Sequence, residues 1–458
     1  MNLCTTDNNC GVVFTSLVSE KERVRQSDYQ NLNKIANTTV EELTKNNPPL
    51  LIFPQALGVH DDVIDEQIIF NLHGNPDGLE KVTLETGNLM GFIGIGDTHL
   101  KIASRFSKED KHDFFMHYML QKVFSINLFD WKHQDSEGEL DLLMFAFPKL
   151  LRKALSQGLF KQYQTFKHND ANVKGVVDVS RHIRRNIPFG GNISYNSRER
   201  TFDNPVTELV RHTIEYIKTK PFGKELLNSD SEIKKCVQEI LETTQGYNLQ
   251  NREKVIAQNL KPISHPYYTA YKPLQKLCLS ILRHKKICFG NAKNKVYGIL
   301  FDGAWLWEEY IATVLVPAGF KHPRNKENRG GLRMFLNDID ENNFDKNYRR
   351  IYPDFYKSDE CILDAKYKRL QNSVGREDLY QIVTYMHTMK IDNGGFLYPK
   401  EVDSADDSVN LFNSKYKLAG HGGTVATYGV PIPVRDNYKD FVSSMNKIEK
   451  HIQIKFLT

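Results

Sequence analysis

The sequence lacks any C-x-x-C pair or zinc-type spacing among its six cysteines, Cys4, Cys10, Cys236, Cys278, Cys288 and Cys361. They read as reduced, mostly buried thiols of a cytosolic protein rather than as a disulfide or metal framework. An apolar run of transmembrane length is missing too, and the amino terminus is polar rather than signal-like. A cytoplasmic protein with no membrane association is therefore expected. Net charge is small, +5 over 458 residues, which permits a locally basic channel without demanding one. There is no G-x-x-x-x-G-K-[ST] loop: His73-Gly74-Asn75 and Gly290-Asn291-Ala292-Lys293 lack the second glycine and the Lys-Ser/Thr pair. Nucleotide-driven movement would have to come from another chain. No repeat period is evident.

What is present fits a soluble globular protein, 40% hydrophobic and 26% charged, long enough for two or three domains. Its most informative stretch is Tyr352-Pro353-Asp354, followed ten positions later by Asp364-Ala365-Lys366. ECILDAKYK, from Glu360 to Lys368, is a short β-branched and apolar run suited to a strand. Alternation places Ile362, Asp364, Lys366 and Lys368 on one face and Cys361, Leu363, Ala365 and Tyr367 on the other, the face expected to be buried. A carboxylate and an ammonium thus stand side by side, with Asp354 on a neighbouring strand or bend.

Two aspartates and a lysine at this spacing suit a metal site that hydrolyses phosphodiesters. Magnesium takes oxygen ligands and needs only one or two protein carboxylates. Asp354 and Asp364 would supply them, with the carbonyl of Ala365 as a further ligand. The ion would neutralise charge on a scissile phosphate and acidify a water, while Lys366 would orient that water and stabilise the transition state. The competing explanation is an edge strand whose polar face is simply solvated. The pattern resembles that of the PD-(D/E)xK nucleases.

Two helical segments add to it. In WLWEEYIATVL, from Trp305 to Leu315, the residues Trp307, Tyr310, Ile311 and Val314 form a core stripe with Glu308 and Glu309 embedded. Glu308, or less favourably Glu309, would enter the metal site, although an exposed helix carboxylate is the plainer explanation. DLYQIVTYMHTMK, from Asp378 to Lys390, groups Leu379, Ile382, Val383 and Met386. Gln381 and Tyr385 share one of its faces at i, i+4, either as surface residues or to hold Lys366 or contact phosphate.

Along the chain, residues 1–50 are polar and read as a helical or partly ordered extension ending at Pro48-Pro49. Residues 51–284 read as a mixed β/α region: strands to about 110, helices at 112–130 and 139–157, a β-rich piece to about 200, then helices from 205 to 247 and at Pro273–Lys285. Residues 285–458 are assigned to the domain carrying the aspartates. The polar stretch Gly319–Tyr348 reads as a long loop with a strand at Leu332–Leu336, and Glu401–Leu411 as an acidic excursion. Arg329-Gly330-Gly331 and Tyr348-Arg349-Arg350 are basic runs close to the aspartates, the latter the better candidate for phosphate.

The order Glu308, Asp354, Asp364-x-Lys366, Gln381-x-x-x-Tyr385 resembles the RecB-like branch of the PD-(D/E)xK superfamily. RIYPDF, ILDAKYK and DLYQIVTYM further resemble McrC, the nuclease subunit of McrBC-type modification-dependent restriction systems. So do GFIGIGDTHLKIASRF, HYMLQKVFSINLFDW, DLLMFAFPKLLRKALSQGLFKQYQ, VKGVVDVSRHIRRN and TFDNPVTELVRHTI, in that order over roughly residues 60 to 400. Ser104-Arg105 departs from a Pro-Lys common in relatives.

The resemblance implies an α+β multi-domain fold, with a β-rich and helical amino-terminal partner-binding region and a carboxy-terminal restriction-endonuclease-like α/β/α domain. It implies a Mg²⁺-dependent DNA endonuclease that cuts double-stranded DNA carrying modified bases, through a possible pair of nuclease domains. Residues 51–284 would bind and stimulate a McrB-like AAA+ GTPase ring. The alternatives are a regulatory activator of that GTPase with a vestigial nuclease site, or a stand-alone RecB-like exonuclease.

Overall fold

The computed structural model describes all residues except 19–22, 48–49, 58–61, 75–77, 108–112, 125–143, 221–222, 229, 290–295, 324–330, 335–349, 371–372, 403–410, 421 and 458. The fold is α+β and divides into two compact units, one built from residues 1–131 and 287–458 and the other from 132–286.

In the first unit a five-stranded sheet runs in the order Asn2–Thr6, Thr98–Ala103, Leu89–Ile95, Val296–Asp302, Leu50–Phe53. Leu89–Ile95 and Thr98–Ala103 form the antiparallel hairpin expected from GFIGIGDTHLKIA, turning at Gly96, whose φ of +58° suits a residue without a Cβ. Thr98–Ala103 alternates strictly between buried and partly exposed positions, as a strand with one packed face should. A small second sheet joins Val12–Val13, Thr83–Thr86 and Phe70–His73.

Here the structure differs from the sequence-based division in two ways. Residues 1–50 are no extension: Leu3, Phe14, Leu17, Leu32, Ile35, Val40 and Leu43 are buried in the same core as Ile93 and Leu100. Their apolar residues are few, but nearly every one is used. The boundary at 284/285 also moves, because Val296–Asp302 pairs with Leu89–Ile95 and Leu50–Phe53 across about 200 residues of sequence.

A further five-stranded sheet carries the aspartate motif, in the order Phe355–Lys357, Cys361–Ala365, Asn393–Glu401, Thr424–Ile432, Phe412–Lys417. The three middle strands are parallel and the two outer ones antiparallel. Helix Arg376–Met389 packs on the face of Ile362, Phe396 and Val425. By register Tyr428 lies on the opposite face, where it meets Phe456 of helix Tyr438–Leu457. Helix Gly303–Leu315 follows directly on Val296–Asp302, capped by the Asp302 carboxylate, and is pinned by Trp307 Nε1 donating to the Leu397 carbonyl at 3.2 Å. Its stripe Trp307, Tyr310, Ile311 and Val314 is buried as expected.

In the second unit, Gln162–Asp170, Ile193–Thr201 and Val176–Val177 form an antiparallel sheet. Helices Phe147–Leu155, Pro205–Lys218, Ser231–Thr243 and Tyr271–Phe289 correspond to the predicted helical stretches. Among the described residues no helix is long and apolar enough to cross a membrane. Most of Gly319–Tyr348, Glu401–Leu411 and the two basic runs lies outside the described residues, Leu332–Arg333 being a short strand paired with Arg350–Ile351.

Candidate active site

Cys361–Ala365 has neighbours on both sides, Phe355–Lys357 and Asn393–Glu401. The solvated edge strand is therefore not what forms. Nor is only one face covered: Ile362, Leu363 and Asp364 are all buried, because helices cover both sides of this sheet and a strand with parallel pairing sits in its interior.

The antiparallel turn between Phe355–Lys357 and Cys361–Ala365 brings Asp354 back beside the end of the second strand. Ala365 N–H donates to Asp354 Oδ2 at 2.8 Å. What the structure gives for Ala365 is thus its amide, which fixes the first aspartate. Lys366 Nζ lies 2.6 Å from Asp364 Oδ2 and 3.5 Å from Asp378 Oδ1, and donates to Gln381 Oε1 at 3.0 Å. Gln381 Nε2 donates to the Tyr385 phenol at 2.7 Å, which donates in turn to the Tyr352 carbonyl at 3.1 Å. The i, i+4 pair on the helix is therefore a relay from the ammonium back to the segment holding Asp354.

Crowded acids dominate the electrostatics. Burial raises the Asp354 carboxyl to about 6, and the charge of Glu308 adds to the rise. Burial lifts Asp364 well above the ordinary carboxylate range, the neighbouring Asp354 reinforcing it against the pull of Lys366. Burial alone would lower Lys366, but Asp364, Asp354 and Asp378 outweigh it and keep the ammonium charged. Asp364 Oδ2 is buried, with the Lys366 ammonium as its close cation. Two buried carboxyl groups side by side with a single ammonium against one of them are what a hard divalent cation would satisfy. Among the described residues no three or more His, Cys, Asp or Glu side chains gather around one point. With only two adjacent carboxyl groups, the site could hold an ion that keeps much of its water shell, not one needing a full protein cage.

All the sequence-predicted side chains fall in this one region. Glu308 is buried on its helix and acts on Asp354 through charge, whereas Glu309 Oε1 faces His322 Nε2 at 3.8 Å. Two residues escaped the sequence reading. Asp378, three positions before Gln381 on the same helix, contacts both Lys366 and Lys368, and the i, i+3 spacing is the signal that would have found it. His322 donates from Nδ1 to the Asp354 carbonyl at 2.9 Å and stacks on Phe355. It lies in the stretch read as a loop, with no motif to mark it.

A family model described as "McrBC 5-methylcytosine restriction system component" matches residues 84–399, over two thirds of the sequence. The chain belongs to this family. Its match spans the hairpin Leu89–Ala103, the whole second unit and the cluster from Glu308 to Tyr385. Among solved structures the chain is similar to one described as a refined half-complex from a tetradecameric assembly of Thermococcus gammatolerans McrB AAA+ hexamers with bound McrC. The identity is 13%, covering 98% of this chain and 100% of that one, with a TM-score of 0.48. A second, the Thermococcus gammatolerans McrBC complex, is 13% identical over 70% of this chain and 89% of that one, with a TM-score of 0.34. No curated protein matches the sequence.

Proposed function

We propose that this McrBC-family chain is the DNA endonuclease subunit of a modification-dependent restriction system, its site a PD-(D/E)xK centre on the carboxy-terminal sheet. The observation that carries the reading is the convergence of Asp354, Asp364 and Lys366 in one buried cluster, with the ammonium against the Asp364 carboxyl. A surface with no catalytic work has little reason to keep three interacting ionisable groups out of water, at considerable desolvation cost.

Asp354 and Asp364 would hold Mg²⁺, with Glu308 adding negative charge from its helix. When bound, the ion supplies charge neutralisation at the scissile phosphate and acidification of a water. The chain's own residues do the rest. Ala365 N–H and His322 fix the segment bearing Asp354, one at its carboxylate and the other at its carbonyl. Lys366, held by Gln381 and Asp378, keeps its proton and presents a cation to the charge that builds on the phosphate in the transition state. Tyr385 keeps Gln381 in place.

The family description and the McrC-like segments support a McrB-like AAA+ GTPase ring as partner, supplying the nucleotide-driven step for which this chain has no phosphate-binding loop. Cleavage of both strands would require a pair of such nuclease domains. The decisive experiment assays methylated plasmid with the partner, GTP and Mg²⁺. Asp364→Ala should abolish cutting while leaving the partner's GTP turnover stimulated, and undiminished cutting would refute the assignment.

A further inference from the structure

In the second unit, not the one carrying the aspartates, a cavity of about 540 Å³ opens where Gln162–Asp170 and Ile193–Thr201 meet Pro205, the segment 258–265 and Gln275. We propose that it binds a nucleoside phosphate, either free or as one unit of a nucleic-acid strand. This goes beyond the nuclease reading and does not depend on it.

The lining decides the ligand's charge. Lys161, Arg200, Lys261 and His265 all contribute, and no aspartate or glutamate is among the described residues that line it. His265 accepts the N–H groups of Tyr267 and Tyr268 at Nδ1, at 3.2 and 3.4 Å, so its neutral ring carries the proton on Nε2 and can donate. Residues 161–202 hold eight lysines and arginines against three acids, a net +5 equal to that of the entire chain. The net positive charge of the sequence is therefore carried by this segment, and two of its eight cations, Lys161 and Arg200, line the cavity.

A second property points to a planar ring. Tyr163 and Arg200 are directly paired across the strands and rise from the same sheet face. Tyr163 stays 58% exposed although Arg198 lies 4.9 Å over its ring, which holds it in place without covering it. Phe160, buried, forms an aromatic wall against Tyr268 and Tyr271.

The floor, by contrast, is spent and rigid. The Gln275 amide donates to Asn259 and to the Lys261 carbonyl, and its oxygen accepts from Ile263 N–H at 2.9 Å. Recognition is left to cations at the rim and π-faces at the wall, the combination that binds phosphate together with a base. The volume falls within the range of sites for small organic ligands.

The test uses the full chain and fluorescence anisotropy with three labelled probes: a guanosine triphosphate, a short single-stranded oligonucleotide and an oligoglutamate, with inorganic tripolyphosphate as competitor. R200E/K261E, both exposed positions, should weaken nucleotide or oligonucleotide binding about ten-fold or more and flatten its salt dependence. K261R should bind as the parent does, and circular dichroism should show both variants folded. Tyr163→Ala should weaken the base-bearing probes while leaving tripolyphosphate competition unchanged. Binding of the triphosphate alone would assign the site to free nucleotide, and binding of the oligonucleotide alone to a strand, and either supports the proposal. It is overturned if neither probe binds, if R200E/K261E binds as the parent does, or if oligoglutamate or tripolyphosphate binds as tightly as the base-bearing probes.

Discussion

The phenol of Tyr385 donates to the main-chain carbonyl of Tyr352, two residues before Asp354, at 3.1 Å. A helix residue and a residue 33 positions upstream are thereby locked together behind the aspartates. Tyr385→Phe keeps the ring and removes both hydrogen bonds of the hydroxyl. It should cost about 1–2 kcal/mol of stability and lower cleavage less than Lys366→Ala does. Thermal denaturation and plasmid cleavage, measured on both variants, check the order.

Gly394 sits where helix Arg376–Met389 comes closest to the sheet. A Cβ there would lie 2.5 Å from Met386 Sδ and 3.0 Å from Ile382 Cγ1. Gly394→Val should therefore push the helix outward, destabilise by about 1–3 kcal/mol and displace Gln381 from Lys366. If the variant melts like the parent and cleaves normally, this contact does not set the helix position.

Asp7 and Arg105 form a buried ion pair, with Arg105 Nη2 at 2.7 Å and Nε at 3.0 Å from Asp7 Oδ2. Asp7→Ala strands the guanidinium in the interior and should cost about 3–5 kcal/mol. Adding Arg105→Met should recover much of the loss. The same burial predicts that deleting residues 1–46 gives an unfolded first unit rather than a trimmed one. A soluble deletion product with unchanged circular dichroism and melting would contradict this.

Asp113 caps helix Phe114–Phe124, accepting from the N–H groups of Met116 and Ser104, and burial lifts its carboxyl from 3.8 to about 6. Its protonated form is the one the fold favours. Its contribution to stability is complete below about pH 4 and is lost as pH rises towards 6, when the native carboxyl must ionise out of water. The full swing is about 3 kcal/mol. Asp113→Asn should flatten that part of the stability profile while losing one cap bond, worth about 1 kcal/mol. Chemical denaturation from pH 4 to 7 reads both effects, and an unchanged slope would count against the assignment.

The sequence by itself determined the local elements and the chemistry they carry. Alternation marked Cys361–Ala365 with Asp364 in it and Lys366 at its end, helical spacing marked Gly303–Leu315 and Arg376–Met389 with Gln381 and Tyr385, and the spacing of Pro353-Asp354 to Asp364 marked Asp354. Tertiary structure alone decided how the pieces assemble. It placed Asn2–Thr6 and Val296–Asp302 in one sheet and made the first 50 residues part of a core. It also enlisted His322 and Asp378 beside the aspartates. Pairing between strands hundreds of residues apart leaves no periodic trace in either segment. The burial that raises Asp354 and Asp364 is likewise a property of what packs around them, not of the motif itself.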